Sequence, residues 1–321
     1  MINYVYLKKG ENEMVNLSEQ IKIYLNFCDS MKGLSVKTRI AYSTDLKQFR
    51  EWHGKDFDWC NKPVLLDYIS EIYKRFKPRT AKRKVASLKA FFHYLEIEEI
   101  IEYDPFHKIK YKRKEAIILP RTFPVEILSK ILNLAYNKLK STNLNKHQTE
   151  STVRDIAVLE LLFASGVRVG ELCSLKADDV DLKRKIIKVK GKGDKERYIQ
   201  ITNQSVLNAL KSYQKMFSKH INETGFFFIN NRGRCLRDQS VRRMINNYAN
   251  EVNSDLHITP HMFRHTVATL LTEEDVDIRY IHEFLGHSSI QTTQIYTHIS
   301  LSAQKKILSK KHPRNKMNIS I

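Results

Sequence analysis

Apolar residues in the first hundred positions recur at the three- and four-residue spacing of amphipathic helices. The pattern predicts four helices, the third over about 63–76 and the fourth over about 79–97. The residues predicted to face the core are Leu17, Ile21, Tyr24, Leu25 and Cys28, then Ile40, Leu46, Phe49 and Tyr42, then Val64, Leu65, Tyr68, Ile69 and Ile72, and finally Val85, Leu88, Phe91, Phe92 and Leu95.

The rest of the chain combines further helical segments with a few strands. Helices are predicted near 124–140, 152–165, 204–218 and 238–253, with a polar loop, STNLNKHQTEST, before the second of them. Residues 186–201 alternate on both sides of Gly-Lys-Gly-Asp, which is typical of a β-hairpin. The run Phe226-Phe227-Phe228-Ile229 predicts a third strand beside it. The predicted fold class is mainly α with a small β-sheet.

A helix-breaking Asp-Pro pair followed by a basic segment predicts two domains. Asp104-Pro105 ends the first, which spans 16–105 after an N-terminal extension over 1–15. Residues 106–121 form a basic linker that contains Lys112 and Arg113, and 122–300 form the second domain. A tail over 301–321 follows.

The charge balance predicts a polyanionic partner. The chain has 55 Lys and Arg against 35 Asp and Glu, a formal net charge of +20, which favours nucleic acid. An anionic membrane surface is disfavoured because no basic amphipathic helix stands at either end. Residues 74–89 hold eight Lys or Arg and no acidic residue, so this run is either a solvated face or a phosphate-contact surface. The predicted contacts are Lys74, Arg79, Lys82, Arg83 and Lys84, with Lys112 and Arg113 of the linker.

Cysteine usage and the termini predict a cytoplasmic protein. Four widely spaced cysteines without a C-x-x-C pair favour reduced thiols and disfavour zinc. The N-terminus lacks the apolar core of a signal peptide, and no apolar run approaches the ~20 residues of a membrane span.

The stretch TPHMFRHTVATLLTEEDVDIRYIHEFLGHSSIQTTQIYTH, residues 259–298, holds most of the candidate chemistry. Thr259 and Pro260 predict a helix start, where His261 and Arg264 share one face and unpaired N–H groups favour an anion. Gly286 predicts a helix end, directly followed by His287. With Tyr296 these groups make a possible nucleophilic site.

Each candidate also has an ordinary explanation. Arg168 could simply pair with Glu171, and Lys192 could be a solvated lysine at a hairpin tip. His261 and His265 have the spacing of a zinc pair, but the cation Arg264 between them disfavours that interpretation. A stronger indication of an active site is the order in which the candidates follow one another along the chain: Arg168, Lys192, His261, Arg264, His287 and Tyr296.

Taken together, ASGVRVGEL (164–172), KGKGDKERYI (190–199), TPHMFRHTVAT (259–269), LGHSSIQTTQIYTH (285–298) and GLSVKTRIAYSTDLKQF (33–49) resemble the tyrosine recombinases of the phage-integrase family, close to the bacterial Xer type. The resemblance implies a two-domain DNA clamp, with a four-helix SAM-like core-binding domain and an α+β catalytic domain. It departs slightly at Gly170, where relatives often have Ser, and in the length of the loop at 140–151.

The resemblance also implies a mechanism. Tyr296 attacks a DNA phosphodiester to give a 3′-phosphotyrosine, and strand exchange proceeds through a Holliday junction. Arg168 and Arg264 clamp the phosphate oxygens, with a hydrogen bond from His287. His261 accepts the tyrosine proton, Lys192 protonates the leaving 5′-oxygen, and Glu171 orients Arg168 and His261. No cofactor and no metal is expected.

The resemblance further implies double-stranded DNA as partner, bound as two sites by a homotetramer or together with a paralogous recombinase, and a nucleoid-associated location. The tail would be exchanged between protomers, and its alternative is a frayed terminus. Two other functions remain open at this point: a type IB topoisomerase and a non-enzymatic DNA-binding protein. Integration, excision and chromosome-dimer resolution use the same residues, so the sequence does not distinguish them.

Overall fold

The computed structural model describes residues 16–34, 36–55, 59–109, 122–191, 196–286 and 301–319, with side chains from 304 onwards in the last range. The chain divides into two compact units, Met1–Ile117 and Ile118–Ile321. Within the described ranges, none of the helices combines the length and hydropathy needed to cross a membrane.

Unit 1 contains the four predicted helices. They are α1 (Leu17–Ser30), α2 (Val36–His53), α3 (Lys62–Arg75) and α4 (Pro78–Ile97). Asparagine side chains begin two of them: Asn16 accepts a hydrogen bond from the backbone N–H of Glu19, and Asn61 accepts one from Val64, both at 3.0 Å. A short 3-10 turn at Pro105–Lys108 follows α4.

The core of unit 1 is aromatic, as predicted, with one error on α2. Phe49 and Phe91 are fully buried, and Trp59 packs against Phe91. Ile40, in contrast, is 61% exposed. It lies six residues before the buried Leu46, which places it about 120° away around the helix. Tyr42, also predicted to face the core, stacks on the buried Tyr24.

Lys84, predicted to contact phosphate, is buried. Its side chain is 3% exposed and its Nζ lies 2.9 Å from the Asp45 carboxylate, which also accepts from Ser87 at 2.8 Å. Arg83 shares the same carboxylate but keeps 45% of its side chain exposed. A buried ammonium that is already paired is unavailable to DNA, so the prediction for Lys84 is wrong.

Unit 2 contains the remaining helices of the described chain. They are α5 (Val125–Lys140), α6 (Lys146–Ser165), α7 (Val169–Ser174), α8 (Gln204–Thr224), α9 (Asp238–Glu251), α10 (Pro260–Glu273), α11 (Ile278–Leu285) and α12 (Leu301–Lys311). The predicted loop before α6 is shorter than expected, because Asn145 and Gln148 form a capping box that begins the helix at Lys146.

The sheet of unit 2 has three antiparallel strands in the order β1 (Val180–Asp181), β2 (Ile186–Lys190) and β3 (Glu196–Gln200). The predicted hairpin is therefore present, with Lys190 opposite Glu196 at its described end. The predicted strand Phe226–Ile229 is wrong. These residues make only isolated bridges, to Lys176 and Cys235, and the rings of Phe227 and Phe228 pack against Tyr213 in the core.

The C-terminal segment packs on its own unit. The Gln304 side chain of α12 continues the edge of β3, accepting from the backbone N–H of Gln200 at 2.7 Å and donating to the carbonyl of Tyr198 at 3.0 Å. Beyond α12, Arg314 is 2% exposed and pairs twice with the fully buried Glu160, at 2.7 Å each. Residues 304–316 are therefore not frayed in the isolated chain.

Candidate active site

The end of α6 sets the direction in which Arg168 leaves the core. Gly166 caps the helix in the left-handed conformation, with φ of 58°. A Cβ at this position would lie 2.4 Å from the Leu285 side chain, so the close packing of α6 against the end of α11 requires glycine. Arg168 then becomes the N-cap residue of α7.

The Glu171 carboxylate is the acceptor on which this region is built. Arg168 donates to it from Nη1 at 2.7 Å and from the backbone N–H at 2.9 Å. Arg197 donates from Nη2 at 2.7 Å and from Nη1 at 3.2 Å. Burial would by itself raise the pKa of Glu171, but the bonds and charge of Arg197, followed by those of Arg168, hold it below its usual value.

Arg197 is the residue of this cluster that the sequence analysis missed. Its Nε also donates to the carbonyl of Phe284 at 3.3 Å, and its side chain is 13% exposed. In β3 it lies opposite Val189 and shares its face with Ile199, both of which are buried. The sequence did contain an indication of this: Arg197 occupies a position of the predicted strand that, by alternation with Ile199, faces the core, where an arginine needs partners.

Arg264, on α10, is buried and only partly satisfied. It is 4% exposed, and its Nη1 donates to the carbonyl of Gly166 at 2.9 Å. Its Nη2 has no hydrogen-bond partner among the described residues. Burial, reinforced by the charges of Arg168 and Arg197, lowers the pKa of Arg264 to about 9. The group therefore remains a cation at neutral pH, with an N–H available for an acceptor.

His261, in the first turn of α10, faces solvent beside these cations. Although the side chain reaches solvent, partial shielding of the ring from water lowers its pKa, followed by the positive charge of Arg242 and then by His265, Arg264 and Arg168. A lowered pKa keeps the imidazole neutral near pH 7, as a proton acceptor must be. In the part of the chain that the structure describes, His261 and His265 belong to no group of three potential metal ligands.

Three of the predicted catalytic residues lie outside the described residues: Lys192, His287 and Tyr296. The described residue next to His287 reaches the cluster. The carbonyl of Gly286, directly before His287, accepts from Arg168 Nη2 at 3.0 Å. Among the described residues, three guanidinium groups against one carboxylate leave two formal positive charges here, so the arrangement suits an anion such as a phosphodiester.

The predicted DNA contacts divide into three groups. Lys74, Arg79, Lys82 and Arg83 are exposed, whereas Lys84 is buried. Arg79, Lys82 and Arg83 share one face of α4, because they are three and four residues apart. Lys112 and Arg113 lie outside the described residues.

The family model described as the phage integrase family matches residues 133–302. A protein named tyrosine recombinase from Agathobacter rectalis is 50% identical over 302 residues, covering 94% of this chain and 98% of the relative. The chain belongs to the phage integrase family. It is a tyrosine-type site-specific DNA recombinase, as the sequence predicts, and these relatives give the topoisomerase alternative no support.

Further relatives agree with this assignment. The model for the N-terminal SAM-like domain of phage integrases matches residues 21–99. Tyrosine recombinase XerC of Thermodesulfovibrio yellowstonii is 37% identical over 316 residues, covering 94% of the recombinase described here and 99% of the relative.

Two solved structures share the fold. XerH recombinase bound to its difH substrate has a TM-score of 0.65 at 21% identity, covering 93% of this chain and 85% of that one. A lambda integrase dimer bound to a COC′ core site has a TM-score of 0.65 at 18% identity, covering 89% and 99%. The predicted architecture, a SAM-like N-terminal domain and a mainly helical catalytic domain with a small sheet, is confirmed.

The Nη2 of Arg264, which has no hydrogen-bond partner in the described part of the chain, leads to a stability prediction. Arg264→Met keeps most of the packing of the aliphatic stem but removes a buried cation for which the described ranges supply no carboxylate partner. We expect the free energy of unfolding, measured with urea in the absence of DNA, to stay unchanged or rise by up to about 2 kcal/mol.

Arg314→Met is the matched control, since Arg314 is as deeply buried but paired with Glu160. Its loss strands the Glu160 carboxylate, so stability should fall by about 3–5 kcal/mol. A comparable loss in both variants would mean that Arg264 stabilises the fold and is not held ready for a ligand.

Proposed function

We propose that this recombinase cleaves DNA by attack of the Tyr296 hydroxyl on a phosphodiester held by Arg168 and Arg264. The observation that carries the proposal is the buried Nη2 of Arg264, which has no hydrogen-bond partner among the described residues and lies beside two further guanidinium groups. Negative charge gathers on the non-bridging oxygens as the tyrosine attacks, and fixed guanidinium donors stabilise that charge more than they stabilise the ground state.

The proposed cleavage exchanges one phosphodiester bond for another. The bond from Tyr296 oxygen to phosphorus forms while the bond from phosphorus to the 5′-oxygen breaks. The phenol proton passes to His261, and Lys192 donates a proton to the leaving 5′-oxygen. His287 adds a hydrogen bond to the phosphate. The phosphotyrosine preserves the energy of the cleaved bond. A 5′-hydroxyl from another strand therefore attacks it and reverses the reaction, and strands are exchanged through a Holliday junction.

We further propose that residues 16–105 are the core-binding domain, joined by the linker at 106–121 to a catalytic domain over 122–300. The exposed cations Lys74, Arg79, Lys82 and Arg83 would contact DNA phosphates, together with Lys112 and Arg113. Four copies would assemble on two DNA sites in the cytoplasm. Support comes from a lambda integrase tetramer bound to a Holliday junction, a fold neighbour with a TM-score of 0.64.

The tail over 301–321 would serve that assembly by exchange between protomers. In the isolated chain it lies along β3 through Gln304. The same contacts could form with the β3 edge of a neighbouring copy, because one identical edge replaces another.

The nucleophile is tested by Tyr296→Phe, which removes one oxygen and keeps the ring. We expect DNA binding to persist and covalent protein–DNA adduct to vanish on a substrate that traps the cleaved strand, as seen by denaturing electrophoresis. Tyr198→Phe, an exposed tyrosine of β3, should form adduct at the wild-type level. Persistent adduct in Tyr296→Phe would assign the nucleophile to another residue.

The role of His261 predicts a pH dependence. The imidazole accepts a proton only when neutral, so the single-turnover cleavage rate should fall as pH drops through its pKa, which is held below the ordinary 6.5. After burial, Arg242 is the largest cause of that lowering. Arg242→Gln should raise the pKa and move the acid limb to higher pH.

Arg243→Gln is the matched control for that shift, because it removes an equal charge from the next position of α9. Its acid limb should coincide with that of the wild type. Coincident limbs in all three proteins would mean that His261 is not the proton acceptor.

The DNA-contact surface is tested through the salt dependence of binding. Replacing Lys74, Arg79 and Lys82 by Ala should flatten the plot of log affinity against log salt by up to ~0.9 per lost contact. Replacing Lys22, Lys47 and Lys62, three exposed lysines of the same unit, removes the same charge and should leave the slope nearly unchanged. Equal slopes in the two triple variants would show that the first set is only a solvated face.

A further inference from the structure

Arg197 has no part in the chemistry proposed above, yet it makes three of the hydrogen bonds that hold the site together. Two go to Glu171, at 2.7 and 3.2 Å, and form a fork-to-fork pair. The third goes from Nε to the carbonyl of Phe284, at 3.3 Å, in the last turn of α11. A single guanidinium thus joins β3, α7 and α11.

The end of α11 is shaped to receive this guanidinium. Gly286 caps the helix with φ of +69°, and a Cβ there would lie 3.0 Å from Arg197 Nη1 and 3.1 Å from its Cδ. Arg168 donates to the carbonyl of the same glycine at 3.0 Å. The backbone that leads into His287 is therefore fixed on two sides, by Arg197 packing on Gly286 and by Arg168 bonded to it.

We propose that Arg197 is a positioning residue for DNA cleavage, which it serves by orienting Glu171, and through it Arg168, and by fixing the end of α11 from which His287 follows. The inference rests on the proposed function, because Arg168 and His287 are the groups being positioned. Arg197 is also the second residue of β3, the strand that follows the hairpin segment containing Lys192.

The contacts favour positioning over direct contact with phosphate. Each nitrogen of the Arg197 guanidinium already donates to a protein acceptor, and the side chain is 13% exposed. Arg264, by contrast, keeps a nitrogen without a partner among the described residues. A lysine at 197 would retain the charge, but its single nitrogen could not replace the three guanidinium nitrogens that donate to Glu171 and Phe284.

A double-mutant cycle separates positioning from plain stabilisation. The variants are Arg197→Lys, Glu171→Gln and their combination, with Arg184→Lys as control, since Arg184 is an exposed arginine near the same sheet. The readouts are single-turnover adduct formation at saturating protein, DNA affinity and the thermal midpoint. We expect Arg197→Lys to lose about tenfold or more in rate with affinity within about twofold of wild type. The double variant should be no slower than the slower single variant, because both changes break one unit.

Two results would overturn the inference. One is a cleavage rate for Arg197→Lys within about twofold of that of Arg184→Lys. The other is a double variant whose loss is the product of the two single losses. A wild type that forms no Tyr296-dependent adduct would overturn the proposed function instead, and the inference with it.

Two glycine variants test the same proposal if Arg197→Lys does not fold. Gly286→Ala and Gly225→Ala place the same side chain at helix ends with the same φ of +69°. Only Gly286 approaches Arg197, while Gly225 has nothing within 4 Å of its Cβ position. We expect Gly286→Ala to slow cleavage at saturating protein and Gly225→Ala to leave the rate unchanged. Equal rates would contradict the proposal.

Discussion

The carboxylate of Glu171 makes it possible for two cations to lie side by side at the candidate active site. Arg168 and Arg197 each donate two hydrogen bonds to it, and both groups would otherwise repel each other in a partly buried setting. Three elements of the site are tied to this acceptor: α7 carries it, β3 reaches it through Arg197, and α11 accepts hydrogen bonds from the same two arginines at its end. Arg264 then adds a third cation that the single carboxylate cannot neutralise.

Two buried arginines in unit 2 show how differently the fold treats structure and chemistry. Arg314 meets Glu160 in a two-bond pair, and Tyr136 donates to the same carboxylate at 2.9 Å, so every charge there has an opposite charge. Arg264 is buried almost as deeply and has a carbonyl in place of a carboxylate. Such an incompletely satisfied cation costs stability in the free protein, and it is useful only when an anion supplies the missing acceptor.

Sequence motifs predicted the candidate site residues that belong to them. They did not predict contacts between residues that are far apart in the sequence. Arg168, His261 and Arg264 were singled out by their joint order along the chain, and the structure brings Arg168 and Arg264 together, with His261 beside them. Glu171, which the resemblance adds, is bonded to Arg168. Arg197 was missed because its partners lie in α7 and α11, far from β3 in sequence. Lys84 was misassigned for a related reason: a run of like charge does not reveal that Asp45, 39 residues earlier, receives one member of it. The error at Ile40 shows that helical spacing alone does not determine which face of α2 points into the core.

Helix ends explain how three guanidinium groups can be oriented without losing their charge. Arg264 donates to Gly166, the residue that caps α6, while Arg168 and Arg197 donate to Gly286 and Phe284 at the end of α11. The last carbonyls of a helix have no partners within it and carry a partial negative charge. They can therefore direct a guanidinium through a neutral acceptor. Had carboxylates taken these three places, the site would carry a net negative charge and repel a phosphodiester. With one carboxylate and three carbonyls as the acceptors in the described part of the site, the three guanidinium groups are oriented and the formal charge stays positive.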